Sequence, residues 1–445
     1  MAPRIHTLVV ELIDVCNLNC AYCLRDEGAL HGRPHALPVA LLEKTLADLK
    51  TRTDRCNVVF TGGEPTLHPD FRGVLRAVRD AGFRWSVITN GWTFSRSLPM
   101  FLEYREALAA IAFSIDGANE AAHDALRGRG SFERIMNAVA ACRDNGLRFR
   151  FKVTVDRAKA ARIAEFAKFA KQAGADRLEL GPLFPTSVSA FDDVPNIVEQ
   201  EAFLREVASL RQSEGLEISL AAGFIDPRPE PVCGPLLGEA INLDYRGRLA
   251  LCTVLTGFRG QTGDPDIVAD LHQTPLAEGL DRIGRLVDGR NQERHAAFSA
   301  IDSGRVSVPL RLASPCLDCL CAFGKIDAAG FERVERRSKI ANGDRFLAAP
   351  DMATTDSADG GLSVHDPRSG RVTELNRTAG VLWEEIRRGQ DVAGMVSALT
   401  GLFDVGEDQA RRSVHDALTR LQSLGLIRRD DGGGRSLLTP DVTQR

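Results

Sequence analysis

At 445 residues, with 44% apolar and 26% charged side chains, the chain has an ordinary globular composition and room for two or three separate cores. A formal net charge of -4 gives no global basic field for nucleic acid or an anionic membrane surface, and no apolar run reaches the length of a membrane span. The opening MAPRIHTLVVELIDVC is interrupted by Glu11 and Asp14 and lacks a small-residue cleavage site, so it reads as a first strand. The compartment it implies is the cytoplasm, where the ten cysteines are reduced thiols.

In chain order, strand-like stretches at 6–13, 57–61, 84–90, 109–115, 148–155 and 177–181 alternate with amphipathic helical patterns such as PVALLEKTLADLKTR, FRGVLRAVRDAG and IAEFAKFAKQAGA. Six βα units predict an α/β fold with a parallel sheet or partial barrel, whose chemistry gathers at the carboxyl ends of the strands. Cys16 follows the first strand, TGGEP (Thr61 to Pro65) ends the second, TNG (Thr89 to Gly91) the third and SIDG (Ser114 to Gly117) the fourth. Four polar or glycine-rich loops therefore converge on one mouth.

The first of these loops holds Cys16, Cys20 and Cys23 within DVCNLNCAYC. Three thiolates bind three irons of a four-iron cubane and leave the fourth open to another molecule. A three-cysteine zinc site with a remote fourth ligand, His31 or His35, is the competing reading. Gly62 and Gly63 allow close backbone approach, and Glu64 offers a carboxylate to a cationic group such as an ammonium, which structural zinc does not need. The isolated Cys56 and Cys142 read as small core residues.

CNLNCAYC followed about forty residues later by GGEP resembles the radical S-adenosylmethionine superfamily. The resemblance implies a partial (β/α)6 barrel and a [4Fe-4S] cluster on Cys16, Cys20 and Cys23, with S-adenosylmethionine chelating the open iron. It places Tyr22 near the adenine and Gly62, Gly63 and Glu64 on the methionine ammonium. Thr89, Asn90, Ser114 and Asp116 would line the ribose and carboxylate, with a strand-end turn or cap role open for each. The reaction implied is one-electron cleavage to a 5'-deoxyadenosyl radical that takes hydrogen from a substrate, with an external reductant such as flavodoxin or ferredoxin. No catalytic acid or base is legible, since His6, His68 and His123 read as structural or solvated histidines.

Further on, Cys233 precedes the strand-turn-strand pattern INLDYRGRLALC that ends at Cys252, and SPCLDCLC supplies Cys316 and Cys319. Four thiols close a cubane cluster, with zinc as the alternative occupant. The pattern resembles the twitch or shortened SPASM extension of radical S-adenosylmethionine enzymes, which implies one auxiliary [4Fe-4S] cluster. Cys321 reads as a spare thiol, or as a ligand in place of Cys319.

Residues 337 to 358 are polar, as at a domain junction. Beyond them LSVHD and RVTEL, joined by PRSG, precede three helical stripes: Ala379, Leu382, Trp383 and Ile386; Val392, Met395, Val396 and Leu399; and Val414, Ala417, Leu418, Leu421 and Leu424. This is a winged-helix-like α+β pattern. The third stripe's helix mixes Arg411, Arg412 and Arg420 with Asp408 and Asp416, so it lacks the one-signed face that phosphates demand. From about 345 to 430 the order is similar to the PqqD family of peptide chaperones, which implies a leader peptide adding a strand at RVTELN, Arg371 to Asn376.

The organisation predicted is a barrel at 1–185, a helical connection at 186–225, a twitch/SPASM-like cluster extension at 226–336, a peptide-binding domain at 345–431 and a tail at 432–445. Together these features predict a radical S-adenosylmethionine maturase of a ribosomally made precursor peptide, with no nucleic acid or membrane partner. A radical enzyme acting on a sugar, amino acid or cofactor precursor is the alternative. A zinc-bound regulator would leave the glycine-glutamate loop without a purpose.

Overall fold

In a computed structural model of the chain, residues 5–20, 22–24, 35–185, 189–226, 228–257, 264–301, 308–327, 330–331, 334–335, 340–357, 361–367 and 370–430 are described. They form two compact units: Met1–Val194 with Ser209–Glu332, and Pro195–Ala208 with Arg333–Arg445.

The first unit is built on ten strands: β1 (Thr7–Glu11), β2 (Asn57–Thr61), β3 (Arg84–Thr89), β4 (Leu108–Ser114), β5 (Phe149–Val155), β6 (Arg177–Pro182), β7 (Glu217–Leu220), β8 (Ala240–Leu243), β9 (Arg248–Ala250) and β10 (Ile267–Asp270). They hydrogen-bond in the order β10-β9-β8-β1-β2-β3-β4-β5-β6-β7. The run from β8 to β7 is parallel, while β9 and β10 join antiparallel at one edge. The sheet is open, with β10 and β7 outermost.

All six predicted strands form, because their apolar residues have a sheet face to fill on either side. Leu8, Val10, Val58, Phe60, Trp85, Val87, Phe113 and Phe151 are fully buried. The helix Phe71–Asp80, capped by Asp70 accepting from the Gly73 amide at 2.8 Å, lays its apolar stripe on this sheet. Phe71, Phe101 and Phe94 from the helices interleave with Phe60, Trp85 and Phe113 from the strands, at ring separations of 5.3–6.2 Å. Such tilted and edge-on pairs contribute about 0.5–1.5 kcal/mol each beyond area burial.

The parallel sheet is wider than the six predicted strands. The stretch 186–225, read as a helical connection, also carries β7, whose alternating EISL has only four residues. The predicted strand-turn-strand is β8 and β9, with Gly247 at φ 76 in the turn. What the pattern could not show is that β8 pairs with β1, so the cysteine-rich segment extends the same sheet.

The second unit holds β11 (Phe346–Ala348), β12 (Ala353–Asp356), β13 (Leu362–Asp366), β14 (Arg371–Leu375) and β15 (Ile427–Arg429). β12, β13 and β14 form an antiparallel meander, and β11 pairs with β15. Helices Arg377–Arg387, Val392–Leu402 and Glu407–Ser423 enclose a core in which Leu382, Trp383, Val392, Met395, Val414 and Leu418 are fully buried. Side-chain caps from Asn376 and Asp391 start the first two helices. The predicted LSVHD and RVTEL are β13 and β14; β12 escaped notice because ATTD offers no apolar face. No described helix is long and apolar enough to cross a membrane.

Candidate functional site

The thiol loop leaves β1 and is held down by the loop that ends β2. The Gly63 amide donates to the Ile13 carbonyl at 2.7 Å and the Glu64 amide to the Val15 carbonyl at 2.9 Å. Gly62 lies at φ 129, and a Cβ there would stand 2.6 Å from the Ile13 carbonyl oxygen; one on Gly63 would overlap Val15. The close approach that requires glycine is thus to the cysteine-bearing segment itself.

Glu64 is buried and caps the short 3-10 turn Pro65–Leu67. Its Oε1 accepts from the Thr66 amide (3.2 Å), the Thr66 hydroxyl (2.6 Å) and the Thr89 hydroxyl (2.8 Å), and its Oε2 from the Asn90 amide (2.8 Å). Burial raises its pKa against these four bonds. Glu64 therefore ties the end of β2 to the end of β3, and it brings together three residues singled out separately in the sequence. The Asn90 side chain completes the link, donating to the Cys16 sulfur at 3.6 Å and to Asn17 Oδ1 at 3.0 Å.

Burial raises the Cys16 thiol to about 11, helped by the charges of Glu64, Cys20 and Cys23. Cys20 is also raised by burial, with Arg127 pulling the other way. Thiols raised in this way become good ligands only when a metal displaces their protons. The three stand within one another's electrostatic reach, yet among the described residues no three His, Cys, Asp or Glu side chains gather tightly enough for a single metal ion. Of the two histidines considered as a fourth zinc ligand, His35 is engaged by Asp14, Nδ1 to Oδ2 at 2.8 Å; His31 lies outside the described residues.

Asp116 organises the other side of the mouth. It accepts from the Tyr22 hydroxyl, from Arg127 Nε and from the Thr154 amide (3.3 Å), and Lys159 stands 3.9 Å away. Burial pushes its carboxyl up, but Arg127 and Lys159 outweigh that and hold it below the usual range. The Arg127 and Lys159 cations both stand over the Tyr22 ring, 5.8 and 5.5 Å from its centroid. Behind it, buried His123 accepts the Asp116 amide on Nδ1 at 3.2 Å. Burial, reinforced by Arg127, lowers the His123 pKa to about 4. Ser114, at the end of β4, is half-buried. Sequence reading did not single out Arg127 and Lys159. Lys159 was findable, since the turn Arg157–Ala160 follows β5 as the thiol loop follows β1; Arg127 ends the helix Glu120–Arg127 and carries no such signal.

The later cysteines form a second group. Cys316 and Cys319 are three apart on the helix Pro315–Ala322 and share a face. This helix is capped by Ser314, whose hydroxyl also donates to the Gly223 carbonyl at 2.7 Å. Cys316 feels the charges of Cys252, Cys233 and Cys319, and Cys319 those of Arg290, Asp318 and Cys252. Burial raises Cys233 to about 11 and Cys252 and Cys319 to about 12. Cys321 is influenced by Arg311, Asp318 and Asp327 and by none of the four. Glu11, buried at the end of β1, ties that strand to β8 and to the segment after Cys252, accepting from Asn242 at 3.1 Å, from Thr253 at 3.3 Å and from Thr256.

A mostly parallel α/β sheet with a three-thiol loop at its first strand end, held by a glycine-glutamate loop, is the arrangement the sequence resemblance anticipates. The model of the Radical SAM superfamily matches residues 10–170, and that of Coenzyme PQQ synthesis protein D (PqqD) matches 362–427. The chain carries a radical SAM domain and a PqqD domain, and the first of these implies a [4Fe-4S] cluster and S-adenosylmethionine. Among curated relatives, the AdoMet-dependent heme synthase of Nitratidesulfovibrio vulgaris is 26% identical over 49% of this chain and 59% of its own length. Mycofactocin maturase MftC of Mycolicibacterium smegmatis is 29% identical over 61% of this chain and 64% of its own. The chain thus spans about three fifths of the length of each. A solved structure, native anSMEcpe with bound AdoMet and Cp18Cys peptide, shares the fold at 16% identity with a TM-score of 0.54, covering 74% of this chain and 94% of that one.

Proposed function

We propose that this protein is a radical S-adenosylmethionine maturase that modifies a ribosomally made precursor peptide recognised by its C-terminal domain. The single observation that carries the reading is one chain joining a radical SAM domain at 10–170 to a PqqD domain at 362–427. The likeness to MftC, itself named a maturase, supports it. Tethering a leader-binding module raises the effective concentration of the attached core peptide for the radical domain.

In this reading Cys16, Cys20 and Cys23 hold the [4Fe-4S] cluster. Once bound and reduced by an external donor such as flavodoxin or ferredoxin, the cluster would supply the electron for reductive cleavage of S-adenosylmethionine. The peptide would lose a hydrogen atom to that chemistry, with 5'-deoxyadenosine as the co-product. Glu64 would offer the methionine ammonium its charge and the Oε2 atom, which accepts only from the Asn90 amide. Gly62 and Gly63 offer backbone carbonyls beside it. Tyr22 would border the adenine, while Thr89, Asn90, Ser114 and Asp116 shape the ribose and carboxylate side. Cys233, Cys252, Cys316 and Cys319 hold one auxiliary [4Fe-4S] cluster, with Cys321 spare. Their mutual electrostatic reach, and the isolation of Cys321 from it, support this assignment.

β14 is the leader-binding edge. It is an outer strand of its meander, paired through β13, and Val372 on it is 53% exposed. A bound leader would satisfy the open backbone groups and cover Val372. The cytoplasm, where thiols stay reduced and such peptides are made, is the proposed compartment.

The test uses the full chain, reconstituted and reduced without oxygen, with precursor peptides encoded beside it, each offered whole and without its leader. A mass change in the whole peptide that accompanies 5'-deoxyadenosine and is lost without the leader is expected. The heme synthase likeness favours a small-molecule substrate instead. Adenosyl cleavage that no peptide stimulates would support that alternative and overturn the maturase.

A further inference from the structure

The wall of the four-cysteine group carries two buried guanidiniums whose Nε atoms lack a partner. Arg290 and Arg294 lie one turn apart on the long helix Leu276–Ser299. Arg290 Nη2 donates to Asp318 Oδ2 at 2.9 Å, and its Nη1 donates to Glu293. Arg294 Nη1 donates to the Leu312 carbonyl at 2.8 Å and lies 3.4 Å from Asp318 Oδ2, and its Nη2 donates to the Arg228 carbonyl at 3.0 Å. Its guanidinium also stacks 4.7 Å from the Phe298 ring. The side chains are only 9% and 1% exposed, and among the described residues neither Nε has a hydrogen-bond partner.

Charge does not balance on this wall. Two guanidiniums share one enclosed carboxylate, Asp318, because Glu293 is 68% exposed and screened by water, and Asp226, which also feels Arg294, is held by both Nε and Nη2 of Arg228. An uncompensated buried charge is costly unless an anion stands near it. Asp318 lies between Cys316 and Cys319 in sequence, Arg290 acts on Cys319 and Arg294 on Cys233. On the Cys252 side the charges differ: Asp266 acts on that thiol, and Lys325 pairs with Asp264 and Asp266 at 3.0 Å each. The cationic excess therefore faces one side of the group, where four thiolates around an iron-sulfur cluster would carry the compensating negative charge. Orphaned donors beside buried thiols that act on one another's charge fit such an occupant.

We propose that Arg290 and Arg294 are positioning residues that hold the reduction potential of the four-cysteine centre up, by placing buried positive charge and free N–H donors against its Cys319 and Cys233 side. The inference rests on the auxiliary-cluster assignment made above. Hydrogen bonds to sulfur, net charge and burial set the potentials of such centres. Positive charge favours the form with one more electron, so its removal shifts the potential downward.

The experiment starts from a full-length parent with Cys16, Cys20 and Cys23 changed to Ala, in which only the second group can hold iron. Iron and sulfide are counted after anaerobic reconstitution, and the midpoint potential is read by electron paramagnetic resonance during a reductive titration. A parent that binds no iron would refute the cluster assignment itself. In an iron-bearing parent, Arg290→Gln and Arg294→Gln are each expected to lower the potential by roughly tenfold in the one-electron equilibrium, about 59 mV, while Arg290→Lys stays close to the parent. Unchanged potentials in both Gln variants would overturn the proposal. Should a Gln variant lose its iron, retention of iron in Arg290→Lys supports it, and loss in that variant too contradicts it.

Discussion

His123 shows how one buried side chain can impose a pH limit on a site it does not line. Its Nδ1 accepts the Asp116 amide, so the native state needs the ring neutral there, and burial keeps its pKa at about 4 against 6.5 for the free residue. Between those values the unfolded chain binds more protons than the folded one, so stability is complete above pH 6.5 and declines as pH falls towards 4. The difference corresponds to roughly 3 kcal/mol. Calorimetry across that window should show the first unit's melting temperature dropping, and His123→Asn, which keeps an acceptor for the Asp116 amide, should flatten the slope. An equal slope in the variant would assign the loss to other groups. Asp116 titrates in a separate window: its depressed pKa gives stability that is present above the ordinary carboxylate range and lost only below it.

Among elements, the loop ending β2 is the most constrained. Gly63→Ala would drive a methyl group into the Val15 backbone, with no flexible side-chain end to give way. The cost should exceed about 2 kcal/mol, and the iron held after anaerobic reconstitution should fall because the displaced segment leads into Cys16. A melting profile and iron content equal to wild type would show that the loop has room after all. In the second unit, Trp383 is fully buried with no hydrogen-bond partner for its Nε1 among the described residues, so its contribution is packing. Trp383→Ala should cost about 3–5 kcal/mol and abolish cooperative melting of that unit, with Trp383→Phe much milder. A full-amplitude transition in the alanine variant would contradict the assigned core.

What was legible in the sequence follows from the range of the forces involved. Strands β1 to β6, and the stripes at Leu382, Trp383, Met395 and Leu418, are local patterns of apolar spacing, and each forms where its period says. Cys16, Cys20 and Cys23 are neighbours in the chain, so they were read as one group. Pairings across long separations were not legible. Glu11 with Thr256, β8 with β1, and Arg290 with Asp318 join residues whose own surroundings give no sign of a partner. The Tyr22–Asp116 bond is intermediate: both ends were named, for separate roles, and only the fold makes them one feature.

For the whole molecule, a ten-stranded sheet positions two thiol groups and a separate unit offers a strand that is outermost among the described residues. A radical formed at the first thiol group and a peptide delivered by the second unit are the two halves of the account. The most direct measurement of their union uses a precursor peptide with deuterium at its carbon positions, incubated with the reconstituted, reduced full chain and S-adenosylmethionine. The mass of the 5'-deoxyadenosine formed is then read alongside that of the peptide. The expected result is 5'-deoxyadenosine one mass unit heavier, together with an altered peptide. Unlabelled 5'-deoxyadenosine and an unchanged peptide, for every precursor encoded beside the enzyme, would contradict it.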